Sequence, residues 1–194
     1  MTIKVGDRLP EAKFRVMGPD GPAVKSTADI FKGKKVVLFA VPGAFTPTCN
    51  NNHLPGFLQN ADAFKKKGID TVAVTGVNDV FVMDAWKKAS AADKIEFLAD
   101  GNGEFAKAID LTFDGSGNGL GTRSRRYSML VEDGVVKKLN IEEAPGKVMP
   151  MASAIALKDT PSSPTAWRAM VSLSSTICDS RPPSECAMSR LVTP

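Results

Sequence analysis

The chain holds a single histidine and three cysteines, and nowhere in its 194 residues does an apolar run approach the roughly 18 residues that a membrane helix requires. One histidine leaves almost nothing from which to build a zinc site, and three cysteines without a Cys-x-x-Cys pair argue against a disulfide scaffold. Neither a metal nor an organic cofactor is expected, and no membrane partner. The stretch from Met1 to Asp7 lacks a basic segment followed by an apolar one, and it lacks the Arg/Ser-rich amphipathic pattern of a transit peptide; the expected location is cytoplasmic. Concentrated charge is scarce as well. The formal net charge is +4, but lysines and arginines alternate with acids, and only Arg123-Ser124-Arg125-Arg126 is dense. No aromatic residue interleaves that stretch, so it reads as a basic turn solvating a loop end and not as a nucleic-acid surface.

What is present suits one globular domain with an appendage: 43% hydrophobic and 24% charged residues in a chain long enough for one good core. Lys35 to Val41 is an apolar, β-branched run stopped by Pro42-Gly43, the pattern of a strand buried on both faces. After a loop from Ala44 to Thr48, Leu54, Phe57, Leu58, Ala61 and Phe64 recur at helical spacing, which predicts a helix from about Cys49 to Lys67 with a kink at Pro55-Gly56. Ile69 to Thr75 is a second buried strand, joined to the first by a right-handed parallel crossover. Asn78-Asp79 caps a further helix to about Ser90, with Phe81, Val82, Ala85 and Trp86 on one face. Ile95 to Ala99 reads as a third strand, and Tyr127 to Ile141 as a hairpin turning at Asp133-Gly134. The sum is an α/β fold with a mixed central sheet and helices on both faces. A thioredoxin-like fold has this arrangement, as do other three-layer folds. The domain is expected to span residues 1–148, and the Ser/Pro-rich remainder, 149–194, to be a partly disordered tail in which Met151 to Leu157 alone keeps helical spacing.

Cys49 falls where a buried strand gives way, through a Pro-bounded loop, to a helix, so unpaired backbone N–H groups and the positive end of the helix dipole face its sulfur. Helix N-termini and nearby cations bring a cysteine from about pH 8.5 to roughly 3.5–7.5, which makes it nucleophilic at neutral pH. A thiolate can attack a peroxide oxygen and become a sulfenic acid, provided that donors stabilise the departing oxygen. Thr46, three residues earlier, offers a hydroxyl on the same turn. A small buried hydrophobe is the bland alternative for Cys49, and a loop or cap residue for Thr46.

Val41-Pro42-Gly43-Ala44-Phe45-Thr46-Pro47-Thr48-Cys49, followed by His53-Leu54-Pro55-Gly56-Phe57, resembles the active-site loop of type 5 peroxiredoxins. Further matches to that family are Lys4-Val5-Gly6-Asp7, Phe31-Lys32-Gly33-Lys34-Lys35, Val77-Asn78-Asp79, Phe97-Leu98-Ala99-Asp100 and Arg126-Tyr127-Ser128-Met129. The resemblance implies a thioredoxin-like fold and a peroxidase in which Cys49 is the peroxidatic thiol, Thr46 hydrogen-bonds thiolate and peroxide, Pro42 shields the site from water and Arg126 is the catalytic arginine. It also implies a homodimer, a hydroperoxide substrate and an external thiol reductant. Ala144-Pro145-Gly146-Lys147-Val148 resembles the family's region near a resolving cysteine but carries no thiol, so a one-cysteine cycle closed by glutathione with glutaredoxin, or by thioredoxin, is expected. Cys178 and Cys186 in the tail offer an internal alternative. Two other readings use the same residues. Cys49 could serve a peroxide sensor, or pair with His53, four residues on, as a cysteine hydrolase without an evident orienting acid. Phe81 and Trp86, with Phe45 and Phe57 beside the site, read as core or dimer packing.

Overall fold

The computed structural model describes residues 1–142, all within one compact unit. The tail, with Cys178, Cys186 and the segment Met151 to Leu157, lies outside the described residues. The chain opens with a hairpin, β1 (Lys13–Gly18) and β2 (Gly21–Ser26), then α1 (Thr27–Phe31), whose N-cap Ser26 and N3 residue Asp29 form a reciprocal capping box. Strand β3 (Lys35–Ala40) follows, then the turn carrying Cys49, α2 (Leu54–Lys66), β4 (Thr71–Gly76), α3 (Val80–Ala89) and β5 (Glu96–Ala99). After α4 (Glu104–Ala108) come a small pair, β6 (Thr112–Asp114) and β7 (Thr122–Ser124), and the hairpin of β8 (Tyr127–Glu132) with β9 (Val135–Ile141).

Seven strands form one sheet in the order β2-β1-β5-β4-β3-β8-β9. β3 pairs parallel to β4 and β4 to β5, whereas β8 lies antiparallel against β3 on its other side. Side-chain alternation along β3 divides the core. Val37, Phe39 and Val41 face a layer with Phe57 and Phe64 of α2 and Met83 and Trp86 of α3; Val36, Leu38 and Ala40 face one with Ile30 and Phe31 of α1 and Phe105 of α4. The mixed sheet with helices on both faces is thus the architecture expected. No helix among the described residues is long and apolar enough to cross a membrane.

Local chemistry shifts several boundaries. β4 starts at Thr71, because the Ile69 and Asp70 amides bond the Phe64 and Lys35 carbonyls in the turn that ends α2. The irregularity expected at Pro55-Gly56 lies one turn earlier, as a π-helical turn over Cys49–His53; Pro55 then sits in the first turn of α2, where its missing N–H costs nothing. Asp79 caps α3 through the Phe81 and Val82 amides, both at 2.9 Å, but the buried face of that helix is Val80, Met83 and Trp86. Phe81 is 65% exposed, a correction to its grouping with Trp86: five residues of separation turn the helix by about 500°, which leaves the two side chains some 140° apart.

Candidate functional site

The turn from β3 into α2 is tied down at both ends. Asn78, just before α3, accepts the Ala44 amide at 3.0 Å through Oδ1, and the Asn50 amide donates to the Thr46 carbonyl at 2.9 Å, beginning the helical winding ahead of Cys49. Phe45 between them takes a left-handed backbone (φ 61°), a strained conformation for a bulky residue, and its half-exposed ring leans on Trp86 at a centroid distance of 6.4 Å. Trp86 in turn donates from Nε1 to Asn50 Oδ1 at 2.9 Å, fixing the residue after Cys49 to α3. Gly43 lies in a close approach: a Cβ there would meet Thr46 Cγ2 at 3.1 Å, so the threonine would have to give by a few tenths of an ångström.

Cys49 itself is buried and unpaired, among the residues that line the α2 and α3 layer. Among the described residues one polar side chain reaches it. Arg126 Nη1 lies 3.3 Å from Cys49 Sγ and 3.0 Å from His53 Nδ1, so the two hydrogens of one guanidinium nitrogen serve the sulfur and the imidazole. Arg126 Nε is 3.4 Å from Glu142 Oε1, with both side chains buried. Burial and the Arg126 guanidinium push His53 down to about 3, so the ring is neutral. Its Nδ1 then accepts from arginine, and by that assignment Nε2 carries the proton. The ring packs edge-on against Phe39 and Phe57, each at 5.4 Å.

Of the predicted residues, the structure brings Arg126 onto the sulfur of Cys49 from 77 positions away. Thr46 stands at the head of the same turn, its hydroxyl donating to the Gly43 carbonyl at 2.9 Å, and Pro42 follows β3 directly, half-buried. The reading of Arg123 and Arg125 as solvated is corrected. Arg123 bonds the Leu120 and Val77 carbonyls at 2.7 and 2.6 Å, and Arg125 bonds that of Glu142 at 3.1 Å, so both are half-buried braces of the backbone. Sequence reasoning missed Glu142, because no spacing links residues 16 apart across a hairpin, and it missed the Asn78 and Asn50 tethers. His53 stood out for its place relative to Cys49, but its Nδ1 lone pair faces Arg126 and not the thiol, which removes the basis for a Cys-His pair. Among the described residues no cluster of three or more His, Cys, Asp or Glu could hold a metal.

A buried thiol at the head of a helix is held against a guanidinium beside the central strand of a mixed sheet, in a thioredoxin-like fold. The model of the Redoxin family matches residues 4–155. Peroxiredoxin-2E, chloroplastic, of Arabidopsis thaliana is 48% identical over 147 residues, which cover 73% of this chain and 63% of that protein. Reduced Prx3 of Vibrio vulnificus, solved in complex with hydrogen peroxide, superposes with a TM-score of 0.75 at 45% identity, covering 79% of this chain and 99% of that one. Peroxiredoxin 5 of Alvinella pompejana gives a TM-score of 0.71 at 37% identity over 81% and 99% of the two chains. The chain belongs to the peroxiredoxins, on their type 5-like branch. It spans just under two thirds of the length of its Arabidopsis relative.

Proposed function

We propose that this protein is a thiol peroxidase that reduces hydrogen peroxide and organic hydroperoxides. The observation that carries the reading is Arg126 Nη1 at 3.3 Å from the Cys49 sulfur. A permanent cation at that distance brings its donors to the sulfur, and their planar fork suits the two oxygens of a peroxide. Among the described residues Nη2 has no acceptor, which leaves its hydrogens for the substrate.

The Cys49 thiolate attacks the nearer peroxide oxygen; the S–O bond forms as the O–O bond breaks, and the departing hydroxide or alkoxide takes a proton from water to become water or alcohol. Sulfur is oxidised by two electrons to sulfenic acid. Arg126 stabilises charge on the departing oxygen as it develops. Thr46 is assigned to thiolate and peroxide by a rotation of its hydroxyl away from the Gly43 carbonyl, and Pro42 to limiting water at the sulfur. A first external thiol condenses with the sulfenic acid, releasing water and forming a mixed disulfide, and a second thiol frees Cys49. Glutathione with glutaredoxin, or thioredoxin, fits that need in a reducing compartment such as the cytoplasm. A homodimer is the proposed assembly, with exposed Phe45 and Phe81 as its apolar contribution.

Peroxide consumption coupled to each reductant tests the proposal on wild type, Cys49→Ser and a Cys178→Ser/Cys186→Ser double variant. Loss confined to Cys49→Ser supports the one-cysteine cycle. Retained turnover in Cys49→Ser overturns the assignment, and loss in the tail variant transfers resolution to a tail cysteine.

A further inference from the structure

Arg126 has its donors shared among three neighbours of different charge, and two of these neighbours do not belong to the reacting pair. Glu142 sits opposite Arg126 because the β8–β9 hairpin places it there. Tyr127 pairs with Ile141, and one step further the Glu142 amide donates to the Arg126 carbonyl at 2.9 Å. The Glu142 carbonyl meanwhile accepts Arg125 Nη2 at 3.1 Å. The backbone of Glu142 is thereby fixed on two sides, which aims a buried carboxylate at Arg126 Nε. His53 is fixed from the opposite side by its place in the turn that carries Cys49 and by its edge-on packing between Phe39 and Phe57.

We propose that Glu142 and His53 are positioning residues that clamp the Arg126 guanidinium from two sides, so that Nη1 is held at the Cys49 sulfur and Nη2 is aimed at the peroxide. This rests on the peroxidase reading above and assigns a role within that site to two residues that touch neither sulfur nor substrate. The two jaws differ in kind. Glu142 supplies a charge that permits a guanidinium to be buried, since a buried cation without a counter-charge is costly. His53 supplies an acceptor without charge, so one Nη1 hydrogen is oriented while the net charge of the pocket is left for the thiolate to set. A protonated His53 would have no lone pair at Nδ1 and would repel the guanidinium; the depression of its titration to about 3 is consistent with an acceptor role throughout the neutral range.

The test is a double-mutant cycle read by the second-order rate constant for Cys49 oxidation by hydrogen peroxide. Glu142→Ala and His53→Phe, the latter keeping an aromatic ring between Phe39 and Phe57, are each expected to lose about 10- to 100-fold, the scale of a roughly 1 Å misplacement of a catalytic group. Glu142→Gln keeps an oxygen acceptor opposite Nε but removes the counter-charge, so it is expected to lose about 5- to 10-fold, less than Glu142→Ala, which also serves should Glu142→Ala fail to fold. In an Arg126→Lys background, where no fork remains to be clamped, Glu142→Ala and His53→Phe should cost less than about 3-fold further. Losses that persist undiminished in that background, or variants as fast as wild type, overturn the clamp. A wild type that consumes no peroxide overturns the peroxidase reading instead, so the two failures are distinguishable.

Discussion

At the residue scale the site is built around one guanidinium, and the consequences of removing it differ from those of removing its charge alone. Arg126→Lys keeps a cation near Cys49 but loses the planar fork that serves sulfur and imidazole together and that the proposed reaction turns on the peroxide. We predict a fall of about 10²–10³-fold in kcat/KM for peroxide, the scale of losing one preorganised donor, measured by stopped-flow peroxide consumption. A pH effect follows from His53. The unfolded chain takes up a proton on this ring near its ordinary value of 6.5, whereas the folded protein does so only at about 3. Between those values the unfolded state binds the extra proton, so the contribution of neutral His53 to stability, fully present above pH 6.5, is lost as pH falls toward 3. The slope from this one group is at most about 1.4 kcal/mol per pH unit. Urea denaturation across that window should show His53→Phe less acid-sensitive than wild type by this difference; equal slopes would contradict the assignment.

The positions of these residues depend on elements that the sequence declares with unequal clarity. The β8–β9 hairpin was legible from Asp133-Gly134 between alternating runs, and β3 from an unbroken apolar run, because turn chemistry and burial are written locally. The β1–β2 hairpin and the short α1 and α4 were not, since the turn from Gly18 to Gly21 joins two short strands of which β2 is mostly exposed and shows no alternation, and a five-residue helix offers no periodicity to detect. Cys49 and Thr46 were readable from their place after a buried strand, and Arg126 only through the family pattern; Glu142 depended on hairpin register, which no one-dimensional spacing reveals. The tethers of the active turn carry the prediction at this scale. Asn78→Ala removes the acceptor for the Ala44 amide and should lower peroxide turnover several-fold while moving thermal stability by no more than about 1–3 kcal/mol. Asp79→Ala, one residue on, strips the α3 cap, costing about 1 kcal/mol in thermal unfolding and leaving turnover within about 2-fold.

For the whole molecule, the sheet order places β3 and β4 centrally with helices over both faces, and the chemistry grows from the carboxyl end of β3. Buried central strands open only in global unfolding, whereas the strained turn at Phe45 and the exposed edge strand β2 are less buried. Native-state hydrogen exchange is expected to find the slowest amides in Val36 to Ala40 and Val72 to Thr75, and the faster ones in β2 and around Phe45. Exchange from β3 as fast as from β2 would contradict this ordering.

The most direct test of the central claim is a single turnover: the reduced protein is mixed with one equivalent of hydrogen peroxide without any reductant, quenched with a sulfenic-acid trapping reagent, and the labelled residue located by mass spectrometry. One trap adduct per chain is expected, on Cys49, formed far faster than on Cys178 or Cys186. An unmodified Cys49, with peroxide left unconsumed or oxidation confined to the other two cysteines, would contradict it.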